Sequence, residues 1–226
     1  MICQCAHASI VAVALRDHVG AALASGWTLP ARLSECGDAA AAATVEAVAF
    51  VGADADVDVG PGATEGSDFR ELTPHWLHRS GGTVRNSFEF DGVSVLTGPN
   101  MAGKSTLMRA TVAAALLANC GLHAPVGPET RIPALDFFYL RSVHVDTPAE
   151  GRSTFALEME DCAVMLRDAS PRSLICLDEF GRGTSSKEGA ALAASLIEHL
   201  DALGAQAFFA THLHEIFALP LRLSHR

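Results

Sequence analysis

A chain of 226 residues has room for one large domain, or for one domain with an irregular extension. Hydrophobic residues make up 49% of it and charged residues 19%, so a substantial core can form, yet no apolar run is long enough to span a bilayer. The formal net charge of −10 argues against a broad nucleic-acid-binding face in this segment, but not against DNA binding by other parts of a larger protein.

The first third of the chain divides into a helix and a region of biased composition. Apolar residues along 8–25 predict one helix, which Gly26 ends and Pro30 prevents from resuming. The composition then shifts to Ala, Gly and Asp, which indicates a surface insertion without chemistry. The expected segments are a lead-in helix and loop (1–34), a low-complexity acidic insertion (35–71) and a folded domain (72–226).

Strands and helices alternate through the rest of the chain. The pattern predicts strand 93–97, helix 104–119, strands around 131–146, helix 154–168, strand 173–177, helix 187–203 and strand 205–210. This order is typical of an α/β protein with a mainly parallel sheet and helices on both faces.

The octet Gly98–Ser105 fits the pattern G-x-x-x-x-G-K-[ST] between the first of these strands and a helix. Glycines let the backbone wrap a phosphate, backbone N–H groups and the helix N-terminus supply partial positive charge, and Lys104 adds a full one. Ser105 would supply its hydroxyl to Mg²⁺. A glycine-rich turn between strand and helix is common, so the octet needs support from other segments.

The second segment is the acidic pair Asp178 and Glu179, which follows the apolar run Leu174–Leu177. Such a run predicts a central parallel strand, and ligands bind at the carboxyl ends of these strands. Asp178 is the candidate for the metal, and Glu179 for polarising the attacking water. The alternative is a pair of acids that caps the next turn.

Three further segments fit a nucleotide site. The turn Gly181–Ser185 could approach a phosphate or a neighbouring subunit, and Thr184 or Ser185 could equally cap the following helix. His212 follows the last strand and is either structural or a contact to a terminal phosphate or water. Gly151–Phe155, which contains Ser153, heads a helix and offers another anion-binding end.

The six cysteines stand at positions 3, 5, 36, 120, 162 and 176, without a C-x-x-C pair. Cys162 and Cys176 fall within predicted elements, which favours buried free thiols in a reducing compartment. Cys3, Cys5 and His7 could be written as metal ligands, but their spacing gives this interpretation little support.

The motifs Thr97–Thr106, Gly151–Phe155, Leu177–Ser185 and Ala210–His212 resemble, in order and spacing, the ATPase domain of the MutS family of DNA mismatch-repair proteins. The resemblance covers roughly 72–221. The organellar branch of plants and algae is the most similar, through Thr73–Trp76, Ser80–Asn86, Val145–Gly151 and Thr211–Pro220.

The resemblance implies specific roles. It assigns the ATP phosphates to Gly98, Pro99, Asn100, Met101, Ala102, Gly103, Lys104, Ser105 and Thr106. Ser105 and Asp178 would bind Mg²⁺. Glu179 would activate the attacking water, and His212 would contact that water or the γ-phosphate. Ser153 would reach the ATP of the opposing subunit.

The resemblance also implies an ABC-type P-loop NTPase fold and composite ATP sites in a dimer, expected to be a homodimer. Mismatched or branched DNA would bind through domains absent from this chain, and no membrane partner is expected. The location would be intracellular, in the mitochondrion or plastid if the organellar resemblance holds.

The chain departs from the family pattern at several positions. Ala102 stands where most members have Gly, and Phe180 replaces a small aliphatic residue. The aromatic that stacks on adenine is not evident near Val84 and Arg85. Because the family's other regions would lie before residue 1 and after Arg226, we expect a fragment or an ATPase-only relative.

Two other functions are weighed against this one. A generic ABC-type ATPase is disfavoured because Gly151–Phe155 lacks the L-S-G-G-Q form. A catalytically weak or silent dimerisation or interaction module would fit the missing regions, but catalysis is favoured by the retained Lys104, Ser105, Asp178, Glu179 and His212.

Overall fold

A computed structural model describes residues 14–33, 66–80, 83–141 and 154–223. The helices are α1 (14–24 in the described part), α2 (Lys104–Asn119), α3 (Thr154–Asp168) and α4 (Ser186–Leu203). The strands are β1 (Ala31–Leu33), β2 (Ser67–Leu72), β3 (Asn86–Phe90), β4 (Val93–Leu96), β5 (Arg131–Pro133), β6 (Phe137–Arg141), β7 (Ser173–Asp178) and β8 (Gln206–Ala210). Short 3₁₀ helices cover His75–Ser80 and His214–Ala218.

The predicted parallel sheet is present, with strand order β4-β8-β7-β6 and every pair parallel. All six residues of β7 are buried. Its side chains alternate, so that Leu174 and Cys176 pack with α2 while Ile175 and Leu177 pack with α3 and α4. The mixed α/β class and the placement of helices on both faces are therefore confirmed.

A second four-stranded sheet, of order β1-β5-β2-β3, was not predicted from the sequence. Its strands pair antiparallel except for β1 with β5. α2 lies between the two sheets, and the ring of Phe90 stacks on Phe208 of the parallel sheet with centroids 4.0 Å apart. The antiparallel sheet thus holds α2, and with it the loop that precedes α2, against the parallel sheet.

The start of the folded region differs from the predicted boundary at residue 72. β2 begins at Ser67, and Phe69 and Leu72 are fully buried. The boundary falls inside β2 because polar residues flank these two apolar side chains and conceal the strand. The rest of the predicted insertion lies largely outside the described residues. Gly26 has φ 69° just beyond α1, as expected of a residue that ends a helix.

The buried thiols are confirmed for Cys162 and Cys176, which are free and buried, whereas Cys120 is exposed. Burial raises the pKa of both buried thiols, so neither forms a thiolate readily. The suggested ligands Cys3, Cys5 and His7 lie outside the described residues. No helix in the described part of the chain combines the length and apolar character needed to cross a membrane.

Candidate functional site

Three residues with positive φ shape the loop between β4 and α2. Gly98, Met101 and Gly103 have φ of 153°, 65° and 93°, and Gly103 is the N-cap of α2. Ala102 is not among the positive-φ residues, so the family's Gly at this position is not required by the backbone here. The departure at Ala102 therefore leaves the shape of the loop intact.

Lys104, the first residue of α2, folds back over this loop. Its Nζ donates to the carbonyl oxygens of Gly98 at 2.8 Å and Pro99 at 3.1 Å, and lies 3.5 Å from Nε2 of His212. The ammonium group is therefore held at the mouth of the loop, on the side where β8 ends. A positive charge in that position is suited to an anionic group enclosed by the loop.

Ser105 and Asp178 meet although they come from different elements. The Ser105 hydroxyl donates to Oδ2 of Asp178 at 2.5 Å, and Asp178 is 7% exposed at the end of β7. No group of three or more His, Cys, Asp or Glu side chains within the described ranges could hold a metal by itself. Mg²⁺ needs only one or two protein ligands beside phosphates and water, so the pair fits this ion.

Glu179 follows Asp178 with φ 55°, a left-handed conformation that is unfavourable for a residue with a side chain. Its backbone N–H donates to the carbonyl of Ala210 at 2.8 Å. Its carboxylate pairs with Arg182, and Oε1 lies 3.5 Å from Nε2 of His212. His212 thus stands between the carboxylate of Glu179 and the ammonium group of Lys104.

The turn after Glu179 leads into α4, whose N-cap is Ser185. The hydroxyls of Thr184 and Ser185 both donate to Glu188, at 2.6 and 2.9 Å. These hydrogen bonds lower the pKa of Glu188. The predicted capping role is confirmed, and it shares this turn with the candidate site.

The family model described as MutS domain V matches residues 94–225, more than half of the chain. The chain belongs to the MutS family. The matched region contains the loop Gly98–Gly103, the acidic pair and His212, whereas β1, β2 and β3 precede it.

Three MutS relatives show the extent of the similarity. The chain is 41% identical over 151 residues to "DNA mismatch repair protein MSH1, mitochondrial" of Arabidopsis thaliana, covering 66% of this chain and 13% of that protein. It is 49% identical over 129 residues to "DNA mismatch repair protein MutS" of Sorangium cellulosum, covering 57% and 14%. The Thermus thermophilus MutS protein is 48% identical over 139 residues, covering 61% and 17%. The aligned parts thus span a small fraction of each relative's length.

The contacts predicted for Ser153 and for an adenine-stacking residue are not observed in the described part of the chain. Ser153 lies outside the described residues, so its role stays a prediction. Val84 is exposed, and Arg85 pairs with Glu71 at 2.6 Å, so neither residue reveals an adenine contact. A cavity of about 200 Å³ near them is lined by Ser25, Gly26, Trp27, Glu71, Thr73, Thr83, Arg85, Pro125 and Val126.

A buried ion pair that was not predicted from the sequence lies next to the turn Gly181–Ser185. Arg141 at the end of β6 contacts Glu158 of α3 at 2.5 Å, and Glu158 also accepts the N–H of Gly181. Glu158 stood in the predicted helix, but no local pattern indicated that Arg141 would be its partner.

Proposed function

We propose that this chain is the ATP-binding and ATP-hydrolysing module of a MutS-like protein that acts in DNA mismatch repair or recombination surveillance. The observation that carries the proposal is the convergence of a loop lysine, two carboxylates and a histidine at one edge of the parallel sheet. Lys104, Asp178, Glu179 and His212 come from three separate parts of the chain. His212 lies 3.5 Å from both Lys104 and Glu179, and Asp178 joins the group through the hydrogen bond from Ser105, which neighbours Lys104 in the chain. An ABC-type P-loop fold is the interpretation that best accommodates this arrangement.

ATP would bind with its phosphates in the loop Gly98–Gly103, where glycines leave room for anionic oxygens close to the backbone. Lys104 would donate to the phosphates in place of the carbonyls that it now contacts. Ser105 and Asp178 are the residues that would hold Mg²⁺, which supplies positive charge against the developing charge on the phosphates.

Glu179 would act as the general base that orients and deprotonates the attacking water. Its side chain is only 16% exposed, which limits competition from bulk water for the carboxylate. His212 would hydrogen-bond that water or the terminal phosphate, since it lies beside both Glu179 and Lys104. Catalysis in this scheme rests on position and charge, as is usual for phosphoryl transfer.

The partners follow from the family rather than from the described residues. We propose a second MutS-like subunit, a homodimer in the simplest case, in which Ser153 completes the partner's ATP site. Mismatched or branched DNA would bind through regions outside this chain, which carries a net charge of −10. A mitochondrial or plastid location is proposed from the similarity to the Arabidopsis protein that is named as mitochondrial.

The proposal is tested by phosphate release from ATP by the purified chain, with Mg²⁺ and with excess chelator. Turnover should require Mg²⁺ and should disappear in the double variant Lys104→Ala/Asp178→Asn, which removes one phosphate contact and one metal contact. Thermal unfolding should show that the double variant is folded. Equal phosphate release by both proteins would mean that the activity comes from a contaminant or from another site, and the proposal would be wrong.

A further inference from the structure

The ion pair between Arg141 and Glu158 is one of the most buried charged contacts in the described part of the chain. Nη1 lies 2.5 Å from Oε1, and the two side chains are only 10% and 5% exposed. Asp161 adds a longer contact of 3.4 Å to Nε of Arg141. A buried ion pair is seldom more stabilising than apolar side chains of similar size, so stability alone is a weak reason for it.

The same oxygen of Glu158 also holds the backbone beside the proposed general base. Oε1 accepts the N–H of Gly181 at 3.1 Å, only two residues after Glu179. Gly181 has φ 83°, and a Cβ there would lie 2.9 Å from the carbonyl oxygen of Gly189 in α4. The turn is therefore hydrogen-bonded to Glu158 on one side and packed closely against α4 on the other.

A second close approach ties the turn to the first residues of α3. A Cβ on Gly183 would lie 3.1 Å from the backbone N and Cα of Phe155. The backbone of the turn and the N-terminal end of α3 thus approach each other too closely for a side chain at position 183. Glu179 lies just before the turn Gly181–Ser185 and has a left-handed conformation with φ 55°. Only contacts with the surrounding structure can maintain this conformation.

We propose that Glu158 is a positioning residue that sets the orientation of Glu179 and couples it to the N-terminal end of α3. The inference rests on the proposed ATPase function, because Glu179 is the group through which Glu158 acts. Arg141 fixes the carboxylate of Glu158, Glu158 fixes the N–H of Gly181, and this bond fixes the backbone that presents Glu179. Displacement of α3 would therefore be transmitted to the proposed general base.

The substitution Glu158→Gln tests the positioning role with little change in size. It removes the negative charge that orders Arg141 and weakens the acceptor for Gly181. Hydrolysis at saturating ATP should fall roughly 10- to 100-fold, the range expected when a catalytic group is misplaced by up to about 1 Å. Affinity for a non-hydrolysable ATP analogue should stay the same, because Lys104 is untouched. Glu160→Gln, an exposed position on the same helix, is the matched control and should change neither quantity.

A double-mutant cycle separates this role from a general structural one. In a Glu179→Gln background, Glu158→Gln should cause no further loss of hydrolysis, because the residue through which it acts is already inactive. If the losses of hydrolysis in the two variants were additive, or if analogue affinity fell as much as the rate, the positioning role would be overturned. Neither result would affect the proposed ATPase function. If Glu179→Gln itself left hydrolysis unchanged, Glu179 would not be the general base and the positioning role would fail with that assignment, whereas ATP hydrolysis by the chain would still stand.

Gly183→Ala is the second variant if Glu158→Gln does not fold. It displaces the same turn from the side of Phe155 and leaves all charges in place. The expected signature is again slower hydrolysis, unchanged affinity for the analogue and no further loss in the Glu179→Gln background. Normal hydrolysis in a folded Gly183→Ala protein would show that the position of this turn does not set the orientation of Glu179, and would overturn the inference.

Discussion

The hydroxyl of Ser105 donates to Asp178 across 2.5 Å, although 73 residues separate them in the chain. Ser105 belongs to the first turn of α2, and Asp178 is the last residue of β7. The bond therefore joins the helix that follows the candidate phosphate loop to the strand that carries the acidic pair. A hydroxyl and a carboxylate at this distance can bind one cation together by replacing their mutual hydrogen bond.

We predict that Ser105→Ala lowers the apparent affinity for Mg²⁺ in nucleotide binding by roughly tenfold or more. Loss of a group that orders a metal site commonly costs roughly 10- to 100-fold in affinity for the metal. A Mg²⁺ titration at fixed ATP analogue, followed by fluorescence, measures this change. Ser195→Ala on the exposed face of α4 is the control and should titrate like the unaltered chain. Identical midpoints for Ser105→Ala and the unaltered chain would remove Ser105 from the metal site.

Lys104→Ala should remove most of the affinity for ATP, because the ammonium group that is held at the mouth of the loop would be lost. Charged hydrogen bonds contribute about 1.5–3 kcal/mol each, which corresponds to roughly 10- to 150-fold in affinity. Titration with a fluorescent ATP analogue checks the expectation. The chain has just one other lysine, Lys187, which is exposed on α4, so Lys187→Ala is a closely matched control. Equal affinities for the two variants would refute the phosphate-loop assignment.

Glu179→Gln should separate ATP binding from ATP hydrolysis. The amide keeps the shape of the side chain but cannot accept the proton of the attacking water, so the single-turnover rate should fall roughly 10²–10⁴-fold. Analogue affinity should be retained, and Glu129→Gln in the exposed turn before β5 is the control. An unchanged single-turnover rate would move the role elsewhere, with His212 as the next candidate.

The capping carboxylate of Glu188 gives a pH-dependent prediction. Hydrogen bonds from Thr184 and Ser185 lower its pKa below the ordinary value of 4.5 in the folded chain. Its contribution to stability is therefore complete above the unfolded pKa and is lost as the pH falls through the lower, folded pKa. The difference in unfolding free energy between the unaltered chain and Glu188→Gln should be largest near neutral pH and should shrink in acid. Urea titrations across this range measure it, and a difference that does not vary with pH would contradict the predicted role of its charge.

Local patterns were sufficient to predict the elements nearest the candidate site. The bounds of α2 coincide with the prediction because Gly103 stands immediately before the helix and Gly121 just after it. The acidic pair was identified because a fully apolar run preceded it. These are short-range signals, in which each residue's neighbours in the chain decide its conformation.

The antiparallel sheet and the contacts of Glu158 could not be predicted in the same way. β2 pairs with β3 through a register shift between Phe69 and Leu72, which breaks the strict alternation that marks a half-buried strand. Arg141 meets Glu158 only because the parallel sheet brings β6 alongside α3. Such contacts depend on the assembled topology, and no spacing in the sequence encodes them.

The last prediction concerns Ser153, which lies outside the described residues and precedes α3. In the proposed dimer two ATPase modules would face each other, and Ser153 of one chain would reach the ATP bound at the loop of the other. Hydrolysis per chain should therefore rise with protein concentration, since the competent state is the dimer. Added DNA should not stimulate hydrolysis by this chain, which has a net charge of −10.

Mixing a Ser153→Ala chain with a Lys104→Ala chain tests the composite site directly. In a mixed dimer one site receives both lesions, because the altered loop faces the altered serine, and the other site is intact. Phosphate release by the mixture should therefore exceed that of either variant alone at the same total concentration. If Ser153 acted on the loop of its own chain, each subunit of the mixed dimer would keep one lesion and mixing would restore nothing. The failure of both mixing and higher concentration to raise turnover would therefore reject the composite site.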